Sequence, residues 1–229
     1  MKDLKKLEKQ LGVEFNNKDF IRTALVHRSY LNEHKSFELD HNERLEFLGD
    51  AVLEVVVTEY LYLNYPNPEG ELTNWRASLV NAKMLAEVAR ALSIEDYLQM
   101  SKGEAKDTNP KARNYILANA MEAVIGAIYL DQGIEAASDF ISRNILSHLP
   151  HILENELYLD PKSKFQEKSQ EHFGITPSYK VLEEDGPDHS KYFKVGVYLD
   201  NELVAEGHGT SKQEAQVKAA AKGIEAKGW

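Results

Sequence analysis

The chain has 229 residues, a formal net charge of −10, 42% hydrophobic residues and no cysteine. This length allows one large domain or two modest domains with a real hydrophobic core. The lack of cysteine excludes disulfides and thiolate metal sites, and the acidic balance argues against a generally basic nucleic-acid-binding surface.

The chain up to about residue 155 is predicted to be helical. Apolar periodicity predicts helices over residues 4–11, 18–26, 42–65, 73–92, 114–130 and 134–153. Residues 66–70, which contain proline and glycine, interrupt the pattern, and the polar segment 101–113 is expected to be a loop. The longest apolar run is far too short to span a membrane, and the N-terminus lacks the apolar core of a signal peptide.

The pattern changes near residues 154–161, where a short linker is predicted. A helix at 162–173, strands at 178–184, 192–199 and 202–209, and a final helix that starts near Ser211 follow it. Asp200 and Asn201 suit a tight hairpin turn, and Ser211 and Glu214 have capping-box spacing. The predicted fold is therefore an all-α domain (1–155) followed by a small α+β domain (160–229) with the order α-β-β-β-α.

An acidic stripe interrupts the long helix predicted over residues 42–65. Glu43, Glu46 and Asp50 project within about 60° of one another on that helix. Gly49 in the same segment adds ~1 kcal/mol of helix penalty relative to alanine. Most acidic stripes on helices are solvated faces, but apolar residues surround this one almost completely. Because three like charges repel unless a cation neutralises them, the pattern favours an acidic cleft that binds a metal.

The helix predicted over residues 114–130 supplies a second polar pair. Asn119 and Glu122 lie three residues apart and share a face. Alone, such a pair is an ordinary surface edge. Beside the acidic stripe, it provides oxygen ligands from a different element, as hard divalent cations require.

The segment 43–53, ERLEFLGDAVL, closely resembles the signature of the ribonuclease III family. Similar segments are ALVHRSY at 24–30, EGELT at 69–73, RASLV at 76–80 and SKGE at 101–104. His27, in the first of these, is expected to be a structural, hydrogen-bonded histidine rather than a general base.

This resemblance implies roles for individual acidic residues. Glu46, Asn119 and Glu122 correspond to the family's metal ligands, and Asp50 and Glu122 correspond to its active-site acids. Glu43 and Glu69 correspond to supporting acids that line the same valley. The family usually has aspartate where this chain has Asn119, which implies weaker metal binding.

Residues 160–229 resemble a double-stranded RNA-binding domain along their whole length. The resemblance implies RNA contacts from the first helix, the loop after the first strand and the start of the last helix. The candidate contact residues are Ser163, Gln166, Glu167, Gln170, His189, Lys212 and Lys218. The family usually has a second lysine at the position of Gln213 and glutamine at that of Val217. Affinity should therefore be modest and steeply salt-dependent.

The family's activity supplies the functional expectation. The resemblance implies an endoribonuclease that hydrolyses double-stranded RNA with Mg²⁺, or with Mn²⁺ as a substitute, and leaves 5′-phosphate and 3′-hydroxyl ends. The expected role is processing of rRNA and other RNAs. A homodimer formed through the catalytic domain and a cytoplasmic location are also expected, with no membrane partner and no small-molecule cofactor.

Two other functions remain open from the sequence. The first is a non-enzymatic double-stranded RNA-binding protein in which Asn119 has disabled catalysis, and measuring cleavage beside binding separates it from an active nuclease. A helical-bundle di-iron oxidoreductase would need two Glu-x-x-His motifs. Only Glu38 and His41 were found with this spacing, in a predicted loop.

Overall fold

The structure is a computed structural model that describes residues 3–187 and 191–229. The chain divides into two compact units, Met1–Tyr158 and Leu159–Trp229, and each has its own hydrophobic core. Among the described residues, no helix combines the length and hydrophobicity needed to cross a membrane.

The first unit is built from helices. They are α1 (Leu4–Leu11), α2 (Lys18–Ala24), α3 (Arg28–Glu33), α4 (Glu43–Asn64), α5 (Glu69–Val80), α6 (Ala82–Ala91), α7 (Lys102–Lys106), α8 (Pro110–Asn144) and α9 (Leu149–Glu154). Short 3₁₀ turns cover Ile94–Tyr97 and Leu146–His148. The middle of α8 is buried on nearly all sides, and helices α2, α4 and α6 pack around it. This central position makes α8 the scaffold of the unit.

Several helix boundaries differ from the prediction. The helix predicted over residues 73–92 is two helices, because Asn81 stops α5 and its side chain caps α6 by accepting the Met84 N–H at 3.0 Å. The segment 101–113, expected to be a loop, contains α7, which Ser101 caps, and the first turn of α8. Helix α3 was not predicted. Helices this short are defined by caps and tertiary contacts, which periodicity does not detect.

Helix α8 contains an interruption. Gly133 has a φ of 85° inside the stretch Pro110–Asn144. This break lies between the helices predicted over residues 114–130 and 134–153. The second of these ends earlier than predicted, because a 3₁₀ turn separates α8 from α9.

The second unit has the predicted order of elements. Helix α10 (Pro161–Phe173) precedes strands β1 (Ser178–Asp185), β2 (Tyr192–Leu199) and β3 (Glu202–Gly209), and α11 (Lys212–Lys227) follows. The strands form an antiparallel sheet in the order β1-β2-β3. Phe165 of α10 and Val197 of β2 pack with Ala219 and Ala220 of α11 in the core. The predicted α-β-β-β-α fold is confirmed.

The turn and cap predicted in this unit are also present. Asp200, between β2 and β3, has a φ of 52°, which places it in the left-handed region. Ser211 caps α11 by accepting the Glu214 N–H at 3.1 Å. In return, the Glu214 carboxylate accepts the N–H and hydroxyl of Thr210, one residue earlier than a standard capping box uses.

Candidate active site

The start of α4 is fixed by the residue before it. Asn42 is buried, its N–H donates to the carbonyl of Val26 at 2.9 Å, and its side-chain amide donates to the carbonyl of Ala24 at 3.3 Å. Val26 in turn forms a parallel β-bridge with Gln99. The acidic first turns of α4 therefore extend from an anchored point.

Helices α4 and α8 cross in backbone contact at two glycines. A Cβ added at Gly49 would collide with the carbonyl oxygen of Glu122, and one added at Gly126 would collide with the carbonyl oxygen of Leu45. Gly49 is therefore needed for the close packing of α4 against α8, and this need is separate from metal binding. Sequence reasoning missed Gly126, although a glycine inside the apolar run 123–130 is a signal of close helix approach.

One face of α4 is acidic near the start of the helix and apolar and buried further along. Glu43, Glu46 and Asp50 occupy this face in the first two turns, and Val57 and Leu61 continue it as buried core. The acidic stripe thus borders the core rather than belonging to a wholly solvated face. The crossing brings this stripe to the polar pair on α8. We call the cleft formed by Glu46, Asp50, Asn119 and Glu122 the acidic valley.

The side chain of Asn119 on α8 lies near Glu46 on α4. Burial and the charge of Glu43 raise the pKa of Glu46, with a smaller contribution from Asp50, and the nearby polar side chain of Asn119 opposes this rise.

Glu122 faces the acids of α4 from the other side of the valley. Burial, followed by the charges of Asp50 and Glu46, raises the pKa of Glu122 to about 8. The valley therefore concentrates more negative charge than its surroundings stabilise. A bound cation would offset this excess.

The donor set of the valley fits a hydrated divalent cation. Over residues 3–187 and 191–229, no three His, Cys, Asp or Glu side chains come close enough to enclose a metal ion. The predicted ligands are the carboxylates of Glu46 and Glu122 and the amide oxygen of Asn119. Mg²⁺ usually binds through one or two carboxylates and keeps several waters, so a closed cage is not required.

The two supporting acids lie at opposite ends of α4. Glu43 is in the first turn, where Arg28 Nη1 lies 3.1 Å from its carboxylate. Glu69 begins α5 and lines a cavity together with Tyr62. Tyr62 is about 24 Å beyond Glu46 at the 1.5 Å rise of a helix. Within one chain, Glu69 therefore lies nearer to the C-terminal end of α4 than to Glu46, and its role as a supporting acid stays a prediction.

His27 has a structural role. It is the N-cap of α3, and its Nδ1 lies 2.8 Å from Ser29 Oγ and accepts the Ser29 N–H at 3.4 Å. Because Nδ1 accepts an N–H, it carries no proton, so the Ser29 hydroxyl donates to it, and the same Oγ accepts the Ser101 N–H at 3.0 Å. Burial lowers the pKa of His27 and favours the neutral ring. The expectation of a hydrogen-bonded structural histidine is confirmed.

The predicted RNA contacts on α10 share one exposed face. Their spacing of three, four and seven residues places Ser163, Gln166, Glu167 and Gln170 on the same side of the helix. Phe165, on the opposite side, is fully buried in the core. The predicted contact His189 lies outside the described residues.

The predicted lysine contacts near the start of α11 are paired with glutamates. Lys212 Nζ lies 3.5 Å from Glu184, and Lys218 Nζ lies 2.6 Å from Glu214. The hydrogen bonds from Lys218 and Thr210 lower the pKa of Glu214 to about 2. Both lysines remain more than half exposed. Sequence reasoning did not pair these glutamates with the lysines, whose charge they partly compensate.

Comparison with protein families gives a match for each unit. The model described as Ribonuclease-III-like matches residues 17–149, and the model of the double-stranded RNA binding motif matches residues 161–226. Each match falls within one of the two structural units.

Similar proteins span nearly the whole chain. Ribonuclease 3 of Clostridium perfringens is 43% identical over 96% of this chain and 93% of its own length. Ribonuclease 3 of Carboxydothermus hydrogenoformans is 46% identical with the same coverage. Among solved structures, the nuclease domain of ribonuclease III from Campylobacter jejuni, described with a region involved in dimer formation, has a TM-score of 0.57 and 41% identity. That match covers 65% of this chain and 99% of the other.

Proposed function

Because the chain belongs to the ribonuclease III family, we propose that it is a divalent-metal-dependent endoribonuclease specific for double-stranded RNA. One observation carries the proposal: the crossing of α4 and α8 brings Glu46 and Asp50 to the polar pair Asn119 and Glu122. We assign this activity to residues 1–155 and duplex binding to residues 160–229. Because the proposed substrates are structured cellular RNAs such as rRNA precursors, we also propose a cytoplasmic location.

The residues of the acidic valley have different proposed roles in catalysis. Glu46, Asn119 and Glu122 would hold Mg²⁺, or Mn²⁺ in its place. When bound, such an ion polarises a phosphoryl oxygen and lowers the pKa of bound water. Asp50 is exposed beside Glu122 and is placed to exchange protons with the attacking water. The half-buried position of Glu122 strengthens its electrostatic interactions. The expected products carry 5′-phosphate and 3′-hydroxyl ends.

The second unit supplies the RNA-binding surface. The exposed face of α10 presents short polar side chains suited to the 2′-hydroxyls of a shallow minor groove. Lys212, the first residue of α11, and Lys218, further along the same helix, would contact phosphates, and the N-terminal end of the helix dipole would strengthen the contact near Lys212. Because Glu184 and Glu214 pair with these lysines, binding duplex RNA would exchange ion pairs within the protein for contacts with phosphate.

A homodimer through the first unit is the proposed assembly. Helix α4 leaves an apolar stripe uncovered, in which Phe47 is 81% exposed, Val55 61% and Tyr62 77%. This stripe lies roughly 110° around the helix from the acidic stripe. Phe47 also borders a cavity of about 700 Å³ that includes Phe20 and Leu130. Apolar surface of this kind marks an interaction site.

A two-fold dimer also gives Glu69 a role. If two copies pair their stripes about a two-fold axis perpendicular to α4, their α4 helices run antiparallel. The Glu69 end of one copy then approaches the Glu43 end of the other. The supporting acid that lies nearer to the C-terminal end of α4 in one chain would thus contribute to the valley of a second copy.

Incubation of the purified full-length protein with long duplex RNA tests the proposed function. We expect endonucleolytic fragments with Mg²⁺ and none in excess chelator. Single-stranded RNA of the same sequence should resist cleavage. Duplex binding without cleavage at any Mg²⁺ or Mn²⁺ concentration would instead favour a protein that only binds RNA.

A further inference from the structure

Arg28 lies at the edge of the acidic valley. Its Nη1 donates to the Glu43 carboxylate at 3.1 Å. Glu43 precedes Glu46 by three residues on α4, which is a rise of about 4.5 Å along the helix. We propose that Arg28 binds a backbone phosphate of duplex RNA beside the valley, and that Glu43 orients its guanidinium group for this contact. The inference rests on the proposed function, because it adds an RNA contact to the same site.

The charge around the valley calls for a cation supplied by the protein. Glu43, Glu46, Asp50 and Glu122 together carry more negative charge than one divalent cation can neutralise. Because RNA is a polyanion, the remaining charge would repel the strand that has to enter the valley. Among the lysines and arginines that the structure describes, Arg28 alone forms an ion pair with any of these four acids.

The guanidinium group of Arg28 has the donors and the exposure that a phosphate contact needs. It carries five N–H donors, and the structure shows one of its nitrogens bonded to Glu43. The side chain is 69% exposed, so the remaining donors can be reached from solvent. A guanidinium group can bind two oxygens of one phosphate at once, which makes arginine well suited to this contact.

The backbone around Arg28 is held in place, although α3 is short. The N–H of His27 donates to the carbonyl of Gln99 at 2.9 Å. The hydroxyl oxygen of Ser29 accepts the N–H of Ser101 at 3.0 Å. These two bonds tie the residues on both sides of Arg28 to the segment that precedes α7. A rearrangement of the Arg28 side chain alone is therefore enough to exchange Glu43 for a phosphate.

Glu43 keeps a second partner if Arg28 turns to RNA. His41 Nδ1 lies 3.7 Å from the carboxylate oxygen of Glu43 that Arg28 does not contact. Because both side chains of the ion pair between Arg28 and Glu43 are largely exposed, water screens their attraction and little is lost when they separate. Glu43 can thus orient the arginine in the free protein without preventing it from binding a phosphate.

Duplex RNA binding by the full-length protein in excess chelator tests this role without cleavage. Arg28→Gln should weaken binding about tenfold and should lower the slope of log K against log salt concentration by about 1 for each copy that contacts the duplex. Arg28→Lys should keep the slope and retain part of the affinity. The matched control is Arg22→Gln, which removes an ion pair with Asp19 on α2 and should bind like the wild type.

A variant of Glu43 separates a phosphate contact from simple neutralisation of the acids. If Arg28 acted only by cancelling the charge of Glu43, Arg28→Gln would have no effect in a Glu43→Gln background. A direct contact requires that the losses of affinity and slope persist in that background. The phosphate contact is refuted if the losses disappear there, or if Arg28→Gln alone binds like the wild type.

These outcomes can be told apart from failure of the proposed function. Equal binding by Arg28→Gln and the wild type would reject the role of Arg28 and leave the nuclease proposal standing. A wild type that binds duplex RNA but does not cut it with Mg²⁺ would reject the nuclease proposal, and the binding of Arg28→Gln would still decide the role of this residue. A wild type that binds no duplex RNA would reject both.

Discussion

Gly49 lies directly against the backbone carbonyl of Glu122. Gly49 directly precedes Asp50, one of the two proposed catalytic acids, and Glu122 is the other. The two acids are therefore positioned by a backbone contact between two long helices. Such a contact cannot be reproduced by any residue with a Cβ, and this explains a glycine in the middle of α4.

Gly49→Ala should destabilise the first unit. Alanine favours a helix by ~1 kcal/mol, but its Cβ would meet the Glu122 carbonyl and force α4 away from α8. We expect a net loss of roughly 2 kcal/mol or more in the free energy of unfolding. Denaturant or thermal unfolding measures it.

Gly70→Ala is the matched control for that substitution. Gly70 is also helical, but an added Cβ would meet nothing within 4 Å. It should be neutral or slightly stabilising. Equal stability for the two variants would contradict the backbone contact between α4 and α8.

Glu122→Gln should abolish most cleavage and leave duplex binding nearly unchanged. The substitution preserves the shape of the side chain and removes the charge that would hold the cation. We expect the cleavage rate to fall about 100-fold or more, which corresponds to about 2.7 kcal/mol of transition-state stabilisation. Glu135→Gln, at an exposed position of α8 beyond Gly133, is the control and should cut normally. Undiminished cleavage by Glu122→Gln would remove this residue from the chemistry.

Phe47→Ser should weaken the homodimer. The substitution removes the most exposed apolar side chain of the α4 stripe, so the stripe loses contact area that a partner would bury. Light scattering of the full-length protein at micromolar concentration should show a shift from dimer to monomer. Leu157→Ser, also exposed in the first unit but outside α4, should stay dimeric. A wild-type protein that remains monomeric and still makes paired cuts in both strands would reject the dimer.

Lys212→Ala should reduce the salt dependence of RNA binding. If this lysine contacts a phosphate, its removal should lower the slope of log K against log salt concentration by about 1. Filter binding or fluorescence anisotropy with duplex RNA at several salt concentrations measures the slope. Lys227→Ala, at the far end of α11 and paired with Glu202, is the control and should leave the slope unchanged. Equal slopes for wild type and Lys212→Ala would place Lys212 away from the phosphates.

Glu214→Gln should destabilise the second unit in a pH-dependent manner. Lys218 and Thr210 lower the folded-state pKa of Glu214 to about 2, below its ordinary value of 4.5. The ionised carboxylate therefore contributes stability above pH 4.5, and this contribution disappears as the pH falls through the folded pKa near 2. The melting temperatures of wild type and variant should differ most near neutral pH and converge between about pH 4.5 and pH 2.

Glu225→Gln is the control for this titration. Glu225 is exposed in the same helix, nearer its C-terminal end. Its substitution should give no comparable pH-dependent gap. A gap for Glu214→Gln that stays constant down to pH 2 would show that the loss comes from something other than its charge.

The elements that sequence analysis predicted well are those with a strong local signal. Strand β2 buries a hydrophobic residue at every second position from Phe193 to Leu199, and α4 buries residues at helical spacing from Leu45 to Leu61, so both were located within a residue or two. The boundary between α5 and α6 was missed because the apolar periodicity continues through Asn81. The stop there depends on a cap, which is a weaker signal than periodicity.

The site was predicted in part for a similar reason. Two acids three or four residues apart on one helix reveal a shared face. The partner of Gly49 is 77 residues away in the chain at Gly126, and no local pattern connects them. The position of Glu69 relative to α4 could not be predicted, because the similarity of a motif identifies a residue without stating where the fold places it.

The arrangement of α4 makes the fold and the site more sensitive to a change in the length of this helix than to most substitutions in it. The helix carries the acidic stripe, the glycine of the crossing and the uncovered apolar stripe at fixed angles around one axis. One inserted or deleted residue would rotate everything after it by about 100° and shift it by about 1.5 Å. Conservative exchanges along α4 other than at Gly49 should therefore be tolerated in evolution far more often than a single insertion or deletion between Glu46 and Tyr62.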